Sequence, residues 1–149
     1  MIDPINRVVD GPWNEDCDLP VLIEPGEYEA VYVRHGCRKI FDKYRLIVEF
    51  RVTEPGPAFG YMLDCFWVVQ MTGKKRWTIR KASKLAKDIV RLFPWFHRPR
   101  LAIQGSIKDL LEGKLFLVKV ATVTKGHKQR DLDMPYSKID TIVRILQGD

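Results

Sequence analysis

The sequence predicts an all-β fold with a helical insert, a small antiparallel β-barrel whose elements run β-β-β-α-β-β. Three observations carry this. Residues 26–69 read as three strands in a row, GEYEAVYVRH, KYRLIVEFRV and GYMLDCFWVV. Residues 78–93, TIRKASKLAKDIVRLF, then switch to apolar positions spaced by three and four, the period of an amphipathic helix. Two further strand-like runs, KLFLVKVATVTKG and SKIDTIVRIL, follow that helix.

Residues 1–19 read as an irregular arm, containing Pro4 and Pro12 and an acidic cluster of Glu15, Asp16 and Asp18. An acidic arm beside a basic groove could shield it when empty. A single domain is expected over 20–149, entered through VLI at 21–23, a run able to dock or add a short strand. The second strand shows the clearest alternation. Tyr44, Leu46, Val48, Phe50 and Val52 share one face, and Arg45, Ile47, Glu49 and Arg51 share the other. HGCRKIFDK at 35–43 is expected to be the loop joining the first two strands, and EPGPAFG at 54–60 a tight Pro/Gly turn. In the third strand Leu63, Cys65, Trp67 and Val69 oppose Met62, Asp64, Phe66 and Val68, with neither face clearly polar.

A turn with a basic cluster, QMTGKKR, precedes the helix, for which Thr78 is one N-cap and Ser83 a competing start; Pro94 ends it. Its outward face carries Arg80, Lys81, Lys84, Lys87 and Arg91 against Asp88 alone. SIKDLLEG reads as a short second helix stopped by Gly113. The fourth strand should place Phe116, Val118, Val120 and Thr122 on one face and expose Lys119 on the other. A loop over KGHKQRDLDMPY leads to a fifth with Ile139, Thr141, Val143 and Ile145 in register. Three strands, a helix and two strands is the order of an OB-fold, a five-stranded Greek-key barrel. Another small barrel or an α+β sandwich is the competing reading.

Length and composition bound the function. A chain of 149 residues with 46% hydrophobic content supports one core. No apolar run approaches the roughly 20 residues of a membrane span, and the first residues lack a signal-peptide pattern, so a cytoplasmic protein without a membrane partner is expected. Three cysteines without CxxC spacing read as reduced thiols. Charge is asymmetric: residues 1–70 hold 7 Lys/Arg against 12 Asp/Glu, whereas residues 71–149 hold 18 against 7. A basic second half suggests an anionic partner, commonly nucleic acid, although solvated lysines on a helix would give the same count.

No catalytic constellation is present. His35, His97 and His127 are isolated, and no Walker loop or GxSxG occurs. Glu49 and Asp64, on adjacent strands, could hold a metal in a nuclease, a minor reading because such pairs are common. A non-catalytic protein without cofactor is expected.

OB-folds bind ligands over strands two and three and through the loops joining strands one–two and four–five. Both loops here are basic. The first carries Arg34, Arg38, Lys39 and Lys43 with Phe41, and the second Lys125, His127, Lys128 and Arg130 with Tyr136 at its exit. Between them lie Arg45 and Arg51, with Lys119 exposed on the fourth strand. Such cations neutralise phosphates, while aromatics stack on unpaired bases. The favoured platforms are Phe66 and Trp77, the latter directly after Lys74, Lys75 and Arg76; core packing is the competing reading for every aromatic, and Tyr44 and Trp67 share inward parity.

The run from GEYEAVYVRH through GYML, with LFLVKVATVTKGHKQR and YSKIDTIVRIL, resembles small phage and mobile-element proteins of the single-stranded DNA-binding OB-fold type. The resemblance rests on strand and turn character over residues 20–146 and matches no pattern at 70–100. It implies single-stranded DNA or RNA as partner, in replication, recombination or transfer of a mobile element, with an edge strand or the arm offering a route to a homo-oligomer or larger nucleoprotein complex. The alternative is an OB-like adaptor or inhibitor whose basic helix binds an acidic protein.

Overall fold

The computed structural model describes residues 21–40, 42–71, 77–78, 83–95, 103–125 and 131–147. In chain order its elements are β1 (Gly26–Ile40), β2 (Lys43–Val52), β3 (Met62–Val68), β4 (Gln70–Met71), β5 (Trp77–Thr78), α1 (Lys84–Leu92), α2 (Ile103–Leu111), β6 (Leu115–Lys125) and β7 (Asp131–Gln147). Five of the strands close a ring in the order β1-β2-β3-β7-β6. All neighbours are antiparallel except β3 and β7, which run parallel. The arm at 1–19 lies outside the described residues.

The second strand shows its expected faces, and the fold decides which face of the third points inward. Leu46, Val48, Phe50 and Val52 of β2 and Leu63, Cys65 and Trp67 of β3 are buried inside the ring, with Val69 just past the end of β3. Phe50 meets Phe116 of β6 edge-on, their centroids 5.7 Å apart. Tyr44 shares the inward parity but sits at the end of its strand and is 38% exposed.

The first hairpin departs from expectation. Residues 35–40 are strand, and only residues 41 and 42 connect β1 to β2. A β-bulge is responsible. The register jumps from Tyr32↔Phe50 to Arg34↔Glu49, so Val33 is extra and every later side chain changes face. Cys37 then lies inside opposite Leu46, while Arg34, Gly36 and Arg38 lie outside opposite Glu49, Ile47 and Arg45.

The last strand departs further. It begins at Asp131, so Tyr136 belongs to the strand, paired with Val123, and not to a loop. The irregular step between Val123 and Lys125 accommodates Pro135, which has no N–H to give a ladder. Three more register shifts follow, leaving Asp140, Val143 and Leu146 without a ladder position. Side chains three apart therefore point inward. Ile139 and Ile142 are buried and Ile145 packs against the core, so the expected row of Ile139, Thr141, Val143 and Ile145 is incorrect.

The helix is shorter than 78–93. Thr78 belongs to β5, and Ser83 is the N-cap, its hydroxyl accepting from the Ala86 N–H at 3.2 Å. Leu85, Ala86 and Ile89 join the core with Phe93. α2 adds Ile107, Leu110 and Leu111 and is followed by Gly113 at φ +78°, a left-handed conformation that glycine adopts without steric cost.

α1 also holds the parallel junction. Among the described residues only Cys65↔Ile139 bridges β3 to β7. From β3, the Trp67 indole Nε1 donates to Asp88 Oδ2 at 2.9 Å. Toward β7, Lys84 Nζ donates to the Asp140 carbonyl (3.1 Å), and Arg91 donates to those of Ile142 (2.6 Å) and Val143 (2.7 Å). Two of these carbonyls belong to bulged residues, whose ladder partners are displaced.

The entry run behaves as anticipated. The Ser137 N–H donates to the Val21 carbonyl at 2.8 Å, and Ile23 N–H donates to Ser137 Oγ at 2.8 Å, docking residues 21–23 on β7.

Candidate functional site

An open groove of about 730 Å³ lies at the end of the ring where β1 turns into β2. One wall is Asp42, Lys43 and Tyr44, the floor is the end of β3 running into β4 (Phe66 to Gln70), and the far wall is the start of α1 (Ser83, Lys84 and Leu85). Each wall follows from local sequence. The two-residue hairpin turn brings Lys43 and Tyr44 to the rim. Parity puts Phe66 and Val68 on the outer face of β3, Val68 being 50% exposed. The Ser83 cap fixes where Lys84 projects. Lys39 Nζ stands 5.9 Å from the Tyr44 ring centroid, a cation over an aromatic face.

The outer face of β1, β2 and β3 is different in character. One cross-strand row runs Arg34–Glu49–Asp64, with Arg34 Nε 2.9 Å from Glu49 Oε1. Asp64 is 5% exposed although it lies outside the ring, and Arg38 and Ile47 are buried beside it. Burial, reinforced by the Glu49 charge and opposed by Arg38 and Arg34, pushes the Asp64 carboxyl up to about 7. Burial also raises the Tyr136 phenol, on which the charges of Arg45 and Asp64 act in opposite senses. Arg45 Nη1 donates to the Ile40 carbonyl at 3.3 Å, bracing the hairpin. By sequence this face is a cation platform; in the fold Arg34 and Arg38 sit among carboxylates.

The anticipated binding residues thus separate. Lys43 and Phe66 line the groove, and Lys39 adjoins it through Tyr44. Arg34, Arg38, Arg45 and half-buried Tyr136 belong to the outer-face cluster. Arg51 is exposed at the opposite end of β2, Lys119 is exposed across from Glu27, and Lys125 is exposed at the end of β6. Phe41, Lys74, Lys75, Arg76, Lys128 and Arg130 lie outside the described residues; of Trp77, the backbone pairs with Met71 in the β4–β5 hairpin. Val68 and Lys84 are groove residues that sequence reasoning does not single out. Val68 shares Phe66's parity, a signal that is legible; Lys84 can be assigned only once the helix start is known.

Other groups offer little chemistry. Glu49 and Asp64 are adjacent as anticipated, but among the described residues no group of three or more His, Cys, Asp or Glu could hold a metal. Cys37 and Cys65 are buried, and burial raises the Cys37 thiol to about 11, far from a reactive thiolate. His35 is hydrogen bonded at Nδ1 to the Tyr32 hydroxyl, 2.7 Å away, and burial followed by the Lys108 charge lowers its pKa. Among the described residues no helix is long and apolar enough to cross a membrane. No protein-family model matches the chain, and no curated protein or solved structure matches it.

Proposed function

We propose that the protein binds single-stranded nucleic acid, DNA in the first instance, through the end groove, without catalysing a reaction on it. The observation that carries this reading is the groove itself, where the Tyr44 and Phe66 rings meet Lys43 and Lys84 around an opening of about 730 Å³. The exposed Tyr44 ring and the half-buried Phe66 ring supply stacking surfaces for unpaired bases, and lysines around them supply phosphate neutralisation. The scaffold we infer is an OB-fold. A five-stranded ring whose third and last strands run parallel, with helices inserted after the third, supports that assignment. In line with the resemblance of its strands and turns, the role we propose is in replication, recombination or transfer of a mobile element.

The adaptor reading gains less support, because Arg91 of the helix bonds to the Ile142 and Val143 carbonyls of β7.

Fluorescence anisotropy with a labelled oligothymidylate over a salt series tests the proposal. Lys43 and Lys84 of the groove, with Lys39 beside it, predict a log–log salt slope of about −2, at roughly 0.7 per phosphate contact on a single strand. Tyr44→Ala should weaken binding by about 1–3 kcal/mol, the loss of one stacked base. Binding that ignores both salt and Tyr44 would sink the reading.

A further inference from the structure

We infer that the ligand unit is short, roughly two nucleotides held in the end groove, and that the strand does not continue across the outer face of β2 and β3. This rests on the nucleic-acid reading above and narrows it. A cleft of about 730 Å³ is in the range that encloses a small ligand rather than an extended polymer. It is walled on three sides by the first hairpin, the end of β3 and the start of α1.

Among the described residues the sheet side offers no run of exposed, unbalanced cations to lead a phosphate backbone out of the groove. Asp64 lies two residues from Phe66 along β3, about 7 Å at the usual strand rise. Its row pairs it with Glu49, which is ion-paired with Arg34 at 2.9 Å. Arg38, buried alongside, places its charge on the same carboxylate. Arg34 and Arg38 are thus balanced by acids, and Arg45, next to the groove opposite Val68, is turned to the Ile40 carbonyl, so a phosphate arriving beyond it would compete with carboxylates already in place. Arg51, the exposed cation on the outer face of β2, is seven residues from Tyr44, about 23 Å away at the same rise. A strand spanning that gap would cross the acid row.

The test is a length series. Anisotropy is measured with oligothymidylates of two, four, eight and sixteen residues at one salt concentration. Affinity per site should level off by the tetramer, changing less than about threefold to the longest oligomer once the number of overlapping sites is divided out, and Arg51→Glu should leave it within about twofold. The double variant Glu49→Gln, Asp64→Asn frees the arginines and should restore a rise of about tenfold with length. A wild-type affinity that climbs more than about tenfold from tetramer to longest oligomer, or a clear loss in Arg51→Glu, overturns the short footprint while leaving nucleic-acid binding intact. A double variant that folds but shows no rise overturns the role of the acid row. No binding at any length overturns the underlying reading as well.

Discussion

Replacing Asp64 by Asn should make the protein more stable at neutral pH and remove much of its pH dependence. The carboxyl has an ordinary value of 3.8 and is pushed up to about 7 in the fold. Between those values the folded protein holds a proton that the unfolded chain has released. Stability is therefore fully present below about 3.8 and is lost as pH rises through about 7. At about 1.4 kcal/mol per pH unit, the loss is on the order of 4 kcal/mol. Asparagine resembles the protonated acid in shape and donors, so the variant keeps the favourable form at every pH. Urea unfolding of both proteins from acid to mildly alkaline pH gives the answer. The difference between them should be near zero at the acid end and grow in favour of the Asp64→Asn variant up to a plateau above pH 7. Parallel curves would show that Asp64 is ionised at no cost, and the outer-face burial would need another explanation.

Two further outcomes concern the junction between β3 and β7. Arg91→Ala should cost about 2–3 kcal/mol by leaving the Ile142 and Val143 carbonyls without their charged donor, whereas Lys87→Ala on the exposed side of the same helix should stay within about 0.5 kcal/mol; thermal melts compare them. Trp67→Phe retains most of the buried ring but leaves Asp88 Oδ2 without its indole donor, Arg91 still reaching Oδ1, and should destabilise by about 1–3 kcal/mol in the same assay.

Where a strand keeps strict alternation, its sequence states which side chains point inward, and this held for β2 and β6, whereas the two faces of β3 could not be ranked before the fold was known. Leu46, Val48 and Phe50, like Phe116, Val118 and Val120, needed no partner to be assigned. Bulges defeat that reading. Val33 and the three shifts in β7 exist only as a mismatch between two strands, and neither strand alone records the count. The HGCRK segment reads as a loop because Gly36 and three charged or polar neighbours suggest a turn, whereas its pairing with β2 satisfies its backbone. The helix start is ambiguous by sequence because Thr78 and Ser83 are equally good caps in isolation; pairing of Thr78 with Gln70 decides it. The lysines and aromatics of the groove were mostly legible as chemistry. Their grouping was not, because it depends on where β2 and α1 begin. The burial of Asp64 was likewise invisible, since an acid on an outward face carries no sequence mark of being covered.

The single parallel bridge has a consequence for how the chain reaches its fold. The β1–β2–β3 meander and the β6–β7 hairpin are each local in sequence and can form early. Joining them brings Cys65 to Ile139 across the whole helical insert, a closure that is entropically slow. Until α1 docks, the carbonyls of Asp140, Ile142 and Val143 and the free edge of β3 are open templates for a neighbouring chain. A lesion in Arg91 or Asp88 should therefore lengthen the life of an open-edged intermediate and favour exchanged hairpins between molecules, a hazard set by assembly order more than by the stability of the finished ring.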